Sequence, residues 1–265
     1  MDNTKIALIQ LHSGKDALLN LDNIKTLVAQ AASNGAKLVM LPEVCDYTDT
    51  RYGAEITGVF REAFSELACE HGIYLHGGSI HEYTPDMSDA GQKPYNTTFF
   101  YDPSGAEIAS YRKIHMFDVE IADGPSLCES HIFSVGDSIS CANTVFGALG
   151  LSICFDLRFP ALYHDMALSG ATILCCAANF TKPTGEAHWE VLQRARAIET
   201  GSYVLACNQC GQKKDFTSYG HSMVIDPWGR IVAEAGDAKE IIYADIDPDY
   251  PARARRQIPV IGVKR

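Results

Sequence analysis

Residues 147–160 read GALGLSICFDLRFP. The stretch Gly147–Ile153 alternates small and branched apolar residues, the pattern of a buried strand. Cys154 then stands where the strand runs out, with Phe155-Asp156-Leu157-Arg158 immediately behind it. A thiol inside a strand is a small hydrophobe. At a strand's end, near the amides of a following turn or helix, it is placed as a nucleophile would be. Beyond it, PALYHDMALSG reads as a helix and ATILCCAA as another buried strand. That strand–helix–strand unit marks an α/β protein.

The alternation extends in both directions. Upstream, KIALIQLH is a strand, and DALLNLDNIKTLVAQAAS is a helix expected to bury Leu18, Leu21, Ile24, Val28 and Ala31. AKLVMLPE is a strand ended by Pro42-Glu43. GVFREAFSELACEHG places Val59, Phe60, Ala63, Phe64 and Leu67 on one stripe, with Gly72 as its stop. IYLHGGSI, YNTTFFYDP and EIASYRK follow as strands, the last two joined by turn chemistry at Asp102-Pro103-Ser104-Gly105. The stretch from Ile114 to Asp137 has poor periodicity and reads as a long, functional loop. Downstream, EAHWEVLQRARAIETG is a helix expected to turn Val191, Leu192, Ala195 and Ile198 inward, before three more strand segments and a short basic helix. No repeat, linker or composition break divides the chain, which reads as a single domain over residues 1–265.

Composition narrows the function. A chain of 265 residues with net charge −11 is a poor partner for nucleic acid or an anionic membrane. No apolar run approaches the roughly 20 residues of a membrane span, and MDNTKIALIQLH reads as a strand rather than a secretion signal. Nine cysteines without framework spacing suit a reducing compartment, so a cytoplasmic location is expected. The histidines lack metal-ligand spacing and no glycine loop for phosphate is present. No metal and no cofactor is expected. Cys207 and Cys210 have redox-motif spacing without a redox-domain context, and Cys175-Cys176 reads as packing.

Three polar residues stand where apolar strands end: Glu43, Lys113 and Cys154. In open α/β sheets, sites form outside the carboxyl ends of strands. Taken singly, each also has a bland reading, as a turn carboxylate, a solvated lysine and a core thiol.

Several segments in order carry a resemblance. LPE at 41–43, YRKIHMFD at 111–118 and CFDLRFP at 154–160 resemble the signature segments of the nitrilase superfamily of carbon–nitrogen hydrolases. GEAHWEVLQRARAIE and YGHSMVIDPWG are similar to its amidase branch. The resemblance covers essentially the whole chain and implies a four-layer α-β-β-α sandwich and a homodimer or larger homo-oligomer. It implies a catalytic set of Glu43, Lys113 and Cys154, with a second glutamate at Glu129. Lys113 and the Phe155 backbone N–H are the implied oxyanion donors. The reaction implied is hydrolysis of a small carboxylated amide to acid and ammonia through a Cys154 thioester. CFDLRFP is similar to amidases rather than nitrilases, whereas N-carbamoyl hydrolysis uses the same catalytic set. A non-catalytic scaffold on the same fold is the reading from another class. A substrate carboxylate needs a cation, for which Arg158 and Lys182 are candidates, with Asn179 and Phe180 beside them. Arg158 also fits a pair with Asp156.

Overall fold

Period-two alternation builds the centre of the protein. In β1 (Thr4–Gln10), Ile6 and Leu8 join one core while Ala7 and Ile9 join another, and all four are buried. A strand covered on both faces requires this. The helix α1 (Ala17–Ser33) begins at Asp16, whose carboxylate accepts the Leu18 and Leu19 N–H groups. β2 (Leu38–Met40), α2 (Ala54–His71), β3 (Tyr74–His76) and β4 (Ile80–Glu82) follow. The hairpin of β5 (Tyr95–Tyr101) and β6 (Glu107–Arg112) turns at Asp102–Gly105, as its sequence predicts. The computed structural model describes residues 3–47, 54–84, 87, 92–120 and 126–262.

The second half contains β7 (Asp118–Glu120), β8 (Ser126–Cys128), β9 (Cys141–Thr144), β10 (Gly147–Ile153), α3 (Pro160–Leu168) and β11 (Ala171–Ala178). After these come α4 (Glu190–Thr200), β12 (Tyr203–Asn208), β13 (Cys210–Gln212), β14 (Thr217–Tyr219) and β15 (Met223–Ile225). β16 (Ile231–Glu234), β17 (Glu240–Ile246) and α5 (Tyr250–Gln257) complete the order.

One sheet runs β17-β1-β2-β3-β5-β4, with β6 also on β5, and the other runs β16-β15-β12-β11-β10-β9. Each has a parallel centre, β1-β2-β3 and β10-β11-β12, with antiparallel flanks. Ile6, Leu8, Leu38 and Met40 share a core with β10, β11 and β12, so the sheets pack face to face. Ala7, Ile9, Val39 and Leu75 pack under α1 and α2. α3 and α4 pack against the second sheet. The result is the expected four-layer α-β-β-α sandwich. Among the described residues no helix is long and apolar enough to cross a membrane.

The helix faces correct the sequence reading in places. Leu18 and Val59 are exposed, outside their expected stripes. The α4 face is turned over: Gln193, Arg196, Ala197 and Thr200 are buried, whereas Val191 and Ile198 are exposed and Leu192 and Ala195 lie between. Arg196 tolerates burial because its guanidinium donates twice to Leu157 O (2.7 and 3.0 Å) and reaches Glu199 at 2.6 Å. The segment after Lys113 is not structureless either. It forms the β7–β8 pair and a 3₁₀ turn, Glu129–His131.

Candidate active site

Strand ends from both sheets meet at one point. Glu43 follows β2 and Lys113 follows β6 in the first sheet, and Cys154 follows β10 in the second. Lys113 N–H donates to Asn96 O of β5 (2.9 Å), which extends the hairpin register by one residue and directs the side chain inward. Its Nζ, in a side chain only 1% exposed, lies 2.9 Å from Glu43 Oε1 and 2.8 Å from both oxygens of Glu129. Asn96 Nδ2 bridges the same two carboxylates at 3.0 and 3.3 Å, and the Phe117 N–H donates to Glu129 Oε2 at 2.6 Å. Glu129 thus orients Lys113, from the first residue of the 3₁₀ turn.

Cys154 has φ +48°, a left-handed conformation that non-glycine residues adopt when the surroundings impose it. Asp156 imposes it. Its fully buried carboxylate accepts the Ile153 N–H (2.9 Å) and Tyr111 O–H (2.7 Å) on Oδ2, and the His115 N–H (3.1 Å) on Oδ1, where His115 Nδ1 also lies at 2.7 Å. One carboxylate therefore ties the Cys154 turn to the segment that carries Lys113. The alternative pairing of Arg158 with Asp156 does not occur, because Tyr111, His115 and Ile153 occupy the carboxylate.

Burial sets the electrostatics. Burial, aided by the charge of Glu129 and opposed by Lys113, raises the Glu43 pKa above its ordinary value. Burial works against the Lys113 charge, yet Glu129 and Glu43 outweigh it and hold the amine well above its usual value. Burial and the Glu43 charge push the Cys154 thiol well up, against Lys113 and the Asn179 backbone N–H. The thiol is consequently protonated at rest, within the electrostatic reach of the Glu43 carboxylate.

A narrow cleft opens over Cys154, lined by Phe117, Phe155, Asn179, Phe180, Thr181 and Thr184. Arg158 stands beside it, with its guanidinium 5.7 Å from the Phe155 ring centroid and 5.5 Å from that of Phe180. Burial lowers its pKa. Its side chain bonds His188 Nδ1 at 3.3 Å, and no carboxylate among the described residues pairs with it. Lys182 does not join the cleft: its side chain is 55% exposed and faces Glu186 at 3.8 Å. Asn96, Tyr111 and His115 carry no site reading in the sequence, and Asp156 is read there only as a partner for Arg158. Tyr111, His115 and Asp156 lie inside the quoted motifs, which is the signal that points to them.

Two face-to-face sheets between helix layers, with carboxylate, amine and thiol where the strands end, define a hydrolase of the nitrilase-like class. The chain belongs to the carbon-nitrogen hydrolase family, whose profile matches residues 5–256. Deaminated glutathione amidase of Homo sapiens is 41% identical over 268 residues, 98% of this chain and 82% of that protein. The omega-amidase of Mus musculus is 40% identical over 271 residues, 100% of this chain and 96% of its own length. The crystal structure of the C. elegans NitFhit protein matches with a TM-score of 0.91 at 37% identity, over 100% of this chain and 66% of that one. The protein is an amidase, cleaving carbon–nitrogen bonds by hydrolysis.

Proposed function

We propose that Cys154 is the nucleophile, Glu43 the general base and acid, and Lys113 with the Phe155 N–H the oxyanion donors, acting on a small amide that carries a distal carboxylate. The observation that carries this reading is the convergence of Glu43, Lys113 and Cys154 from the ends of β2, β6 and β10, with Lys113 Nζ 2.9 Å from a buried Glu43 carboxylate whose pKa is raised. Glu43 takes the thiol proton as sulfur attacks the amide carbon. The carbonyl oxygen gains negative charge beside the Lys113 ammonium and the Phe155 N–H, which lies in the first turn of a 3₁₀ segment and lacks an upstream partner there. Glu43 returns the proton to the departing nitrogen, so ammonia leaves and a Cys154 thioester remains. Water, deprotonated by Glu43, attacks the thioester, and the acid is released with the thiol restored. Glu129 keeps the ammonium aimed while Glu43 changes charge.

Arg158 supports the carboxylated substrate. A half-buried cation without a carboxylate partner, beside a cleft of aromatic rings and hydroxyls, receives an acid better than a neutral chain. Asn179 and Phe180 shape the same wall, with the Asn179 Oδ1 turned by Ser218 Oγ at 2.6 Å. The names of the relatives, omega-amidase and deaminated glutathione amidase, point to amides of this kind. Ammonia release across amides, nitriles and N-carbamoyl compounds tests the reading. The expected order places a dicarboxylate monoamide or a larger acidic amide first, and a neutral amide or nitrile in first place rejects the substrate claim.

The same reading includes a homodimer in the cytoplasm. A second copy covers the outward face of α4, where Val191 and Ile198 are exposed and Gly229 abuts Ile198, next to exposed Trp228. All nine cysteines are free thiols, which suits a reducing compartment.

A further inference from the structure

Glu43 and Cys154 come from different sheets, so their separation depends on whatever joins the two. The residue after Glu43 is Val44, with φ +49°. A β-branched side chain adopts that conformation only where its neighbours over-determine it. Two neighbours do so. Ser79 takes the Val44 N–H on its Oγ (2.9 Å) and the Cys45 N–H on its carbonyl (2.9 Å). Gln209 Nε2 donates to Glu43 O (3.0 Å), reaches Val44 O (3.4 Å), and donates to Ser13 Oγ (2.8 Å).

Gln209 leaves the other sheet as the first residue after β12, bridges to Leu11 beyond β1, and is fully buried. Its N–H and that of Glu43 both donate to one carbonyl, Ala178 O at the end of β11, at 2.9 and 3.4 Å. Its Oε1 accepts the Ser13 N–H (3.0 Å) and Lys213 Nζ (3.1 Å). Lys213 is 6% exposed, donates also to Ser13 O (3.0 Å), and stands 5.7 Å over the Tyr47 ring. Two donors on Oε1 leave the amide one orientation. Flipped, it would set N–H against N–H at Ser13 and Lys213, and oxygen against two carbonyls at Glu43 and Val44.

We infer that Gln209 is a positioning residue for Glu43, and that Lys213 fixes the direction in which its amide points. The inference rests on the catalytic role proposed for Glu43. Lys213 explains itself on this view. Burial lowers its pKa to about 8, and no carboxylate among the described residues pairs with it, so it is a cost to the fold that its bonds to Gln209 and Ser13 offset only in part. Burial raises the pKa of Cys210, at the start of β13, so near neutral pH it stands beside Lys213 as an uncharged thiol.

Gln209→Glu separates positioning from packing. It keeps size, keeps an acceptor for Ser13 N–H and Lys213, and replaces the donor facing Glu43 O and Val44 O with an acceptor. Turnover is measured per mole of protein recovered in the folded peak of size-exclusion chromatography with the wild-type circular dichroism spectrum, so misfolded protein does not count. A misplacement of about 1 Å costs about a hundredfold in rate, so the expected result is a kcat at least about tenfold lower with KM changed less than about threefold. Lys213→Met is the second variant, read on the same scale if Gln209→Glu does not fold, with an expected loss in kcat of at least about threefold at unchanged KM. Glu43→Gln is assayed in parallel. If it is inactive while Gln209→Glu and Lys213→Met turn over at the wild-type rate, the inference is overturned and the catalytic reading stands. If Glu43→Gln itself keeps its turnover, both fall.

Discussion

Lys113 Nζ lies 2.9 Å from Glu43 Oε1, and the two side chains are only 1% and 5% exposed. This ammonium is the cation that both Glu43 and Glu129 contact. Lys113→Met therefore removes the proposed oxyanion donor and also leaves two carboxylates facing each other across a buried space. Breaking a buried ion pair by deleting one partner costs about 3–5 kcal/mol. The variant is expected to lose nearly all kcat and to unfold at a clearly lower temperature than wild type. Calorimetry alongside the ammonia assay checks both. A fully stable, inactive Lys113→Met would show that the two carboxylates share a proton without cost.

Glu43→Gln has the opposite stability sign. A carboxyl whose folded pKa is raised above 4.5 holds its proton in the native state after the unfolded chain has released it. Native stability thus falls as pH rises from the unfolded pKa through the folded one. Glutamine has no such titration, and Lys113 keeps Glu129. The expected outcome is an inactive protein at least as stable as wild type at neutral pH. On the proposed mechanism, the acid limb of wild-type kcat/KM is expected to belong to Glu43 and to fall above the ordinary carboxylate value, while Lys113, held well above 10.5, is expected to add no alkaline limb near neutrality. A pH–rate profile that stays flat down to pH 4 contradicts this assignment.

Asp156→Asn tests the clamp on the proposed nucleophile, Cys154. Four donors converge on its two oxygens, and an amide replaces one oxygen with a donor that meets either the Ile153 or the His115 N–H. Leaving a buried donor unmet costs about 1–3 kcal/mol. Cys154 loses the turn that fixes φ +48°, so its alkylation rate and kcat both fall. Tyr111→Phe removes one donor only and is expected to cost less in each. Equal effects of the two variants would mean that the Tyr111 bond, not the Ile153 cap, carries the positioning.

Legibility in the sequence followed the physics of burial. β10 and β11 were readable because strands covered on both faces are apolar throughout, and Cys154 stood out where that run stopped. The face of α4 was misread because Gln193 and Arg196 are buried, Arg196 held by Leu157 O, while apolar Val191 and Ile198 face outward. No periodicity reveals a polar side chain whose partner is a backbone carbonyl 39 residues away. Glu43, Lys113, Cys154 and Glu129 were found through motifs. Gln209, Lys213 and Asn96 were not, since each acts through contacts between distant strand ends. The β7–β8 pair escaped because three-residue strands lack a period to count.

The outward face of α4 predicts how copies associate. Val191 and Ile198 are separated by two helical turns and lie on one side of α4. Val191→Asp combined with Ile198→Asp adds two charges to a face that a partner copy would bury, and neither position supports the core. The double variant is expected to shift the protein to a monomer by sedimentation without lowering the melting temperature of the monomer. Unchanged mass would place the interface elsewhere.

Arg158 and Lys182 carry basic charge near the catalytic segments, and their environments predict different consequences of losing it. Arg158 lies against the two rings that line the cleft, half-buried and unpaired with any described carboxylate. Lys182 is solvated and faces Glu186, an exposed pair of little energetic consequence. A charged hydrogen bond to a substrate carboxylate is worth about 1.5–3 kcal/mol, or about ten- to a hundredfold in KM if it is made equally in ground and transition states. Arg158→Met is therefore expected to raise KM for an acidic amide by that factor with kcat little changed, and to leave a neutral amide of similar length nearly unaffected. Lys182→Met is expected to alter neither substrate's constants by more than about twofold. Parallel kinetics on a dicarboxylate monoamide and its neutral analogue check this. If Arg158→Met weakens both substrates alike, the guanidinium supports the rings of Phe155 and Phe180 rather than the substrate's carboxylate. If Lys182→Met carries the selectivity instead, its side chain must leave Glu186 and turn into the cleft when substrate binds.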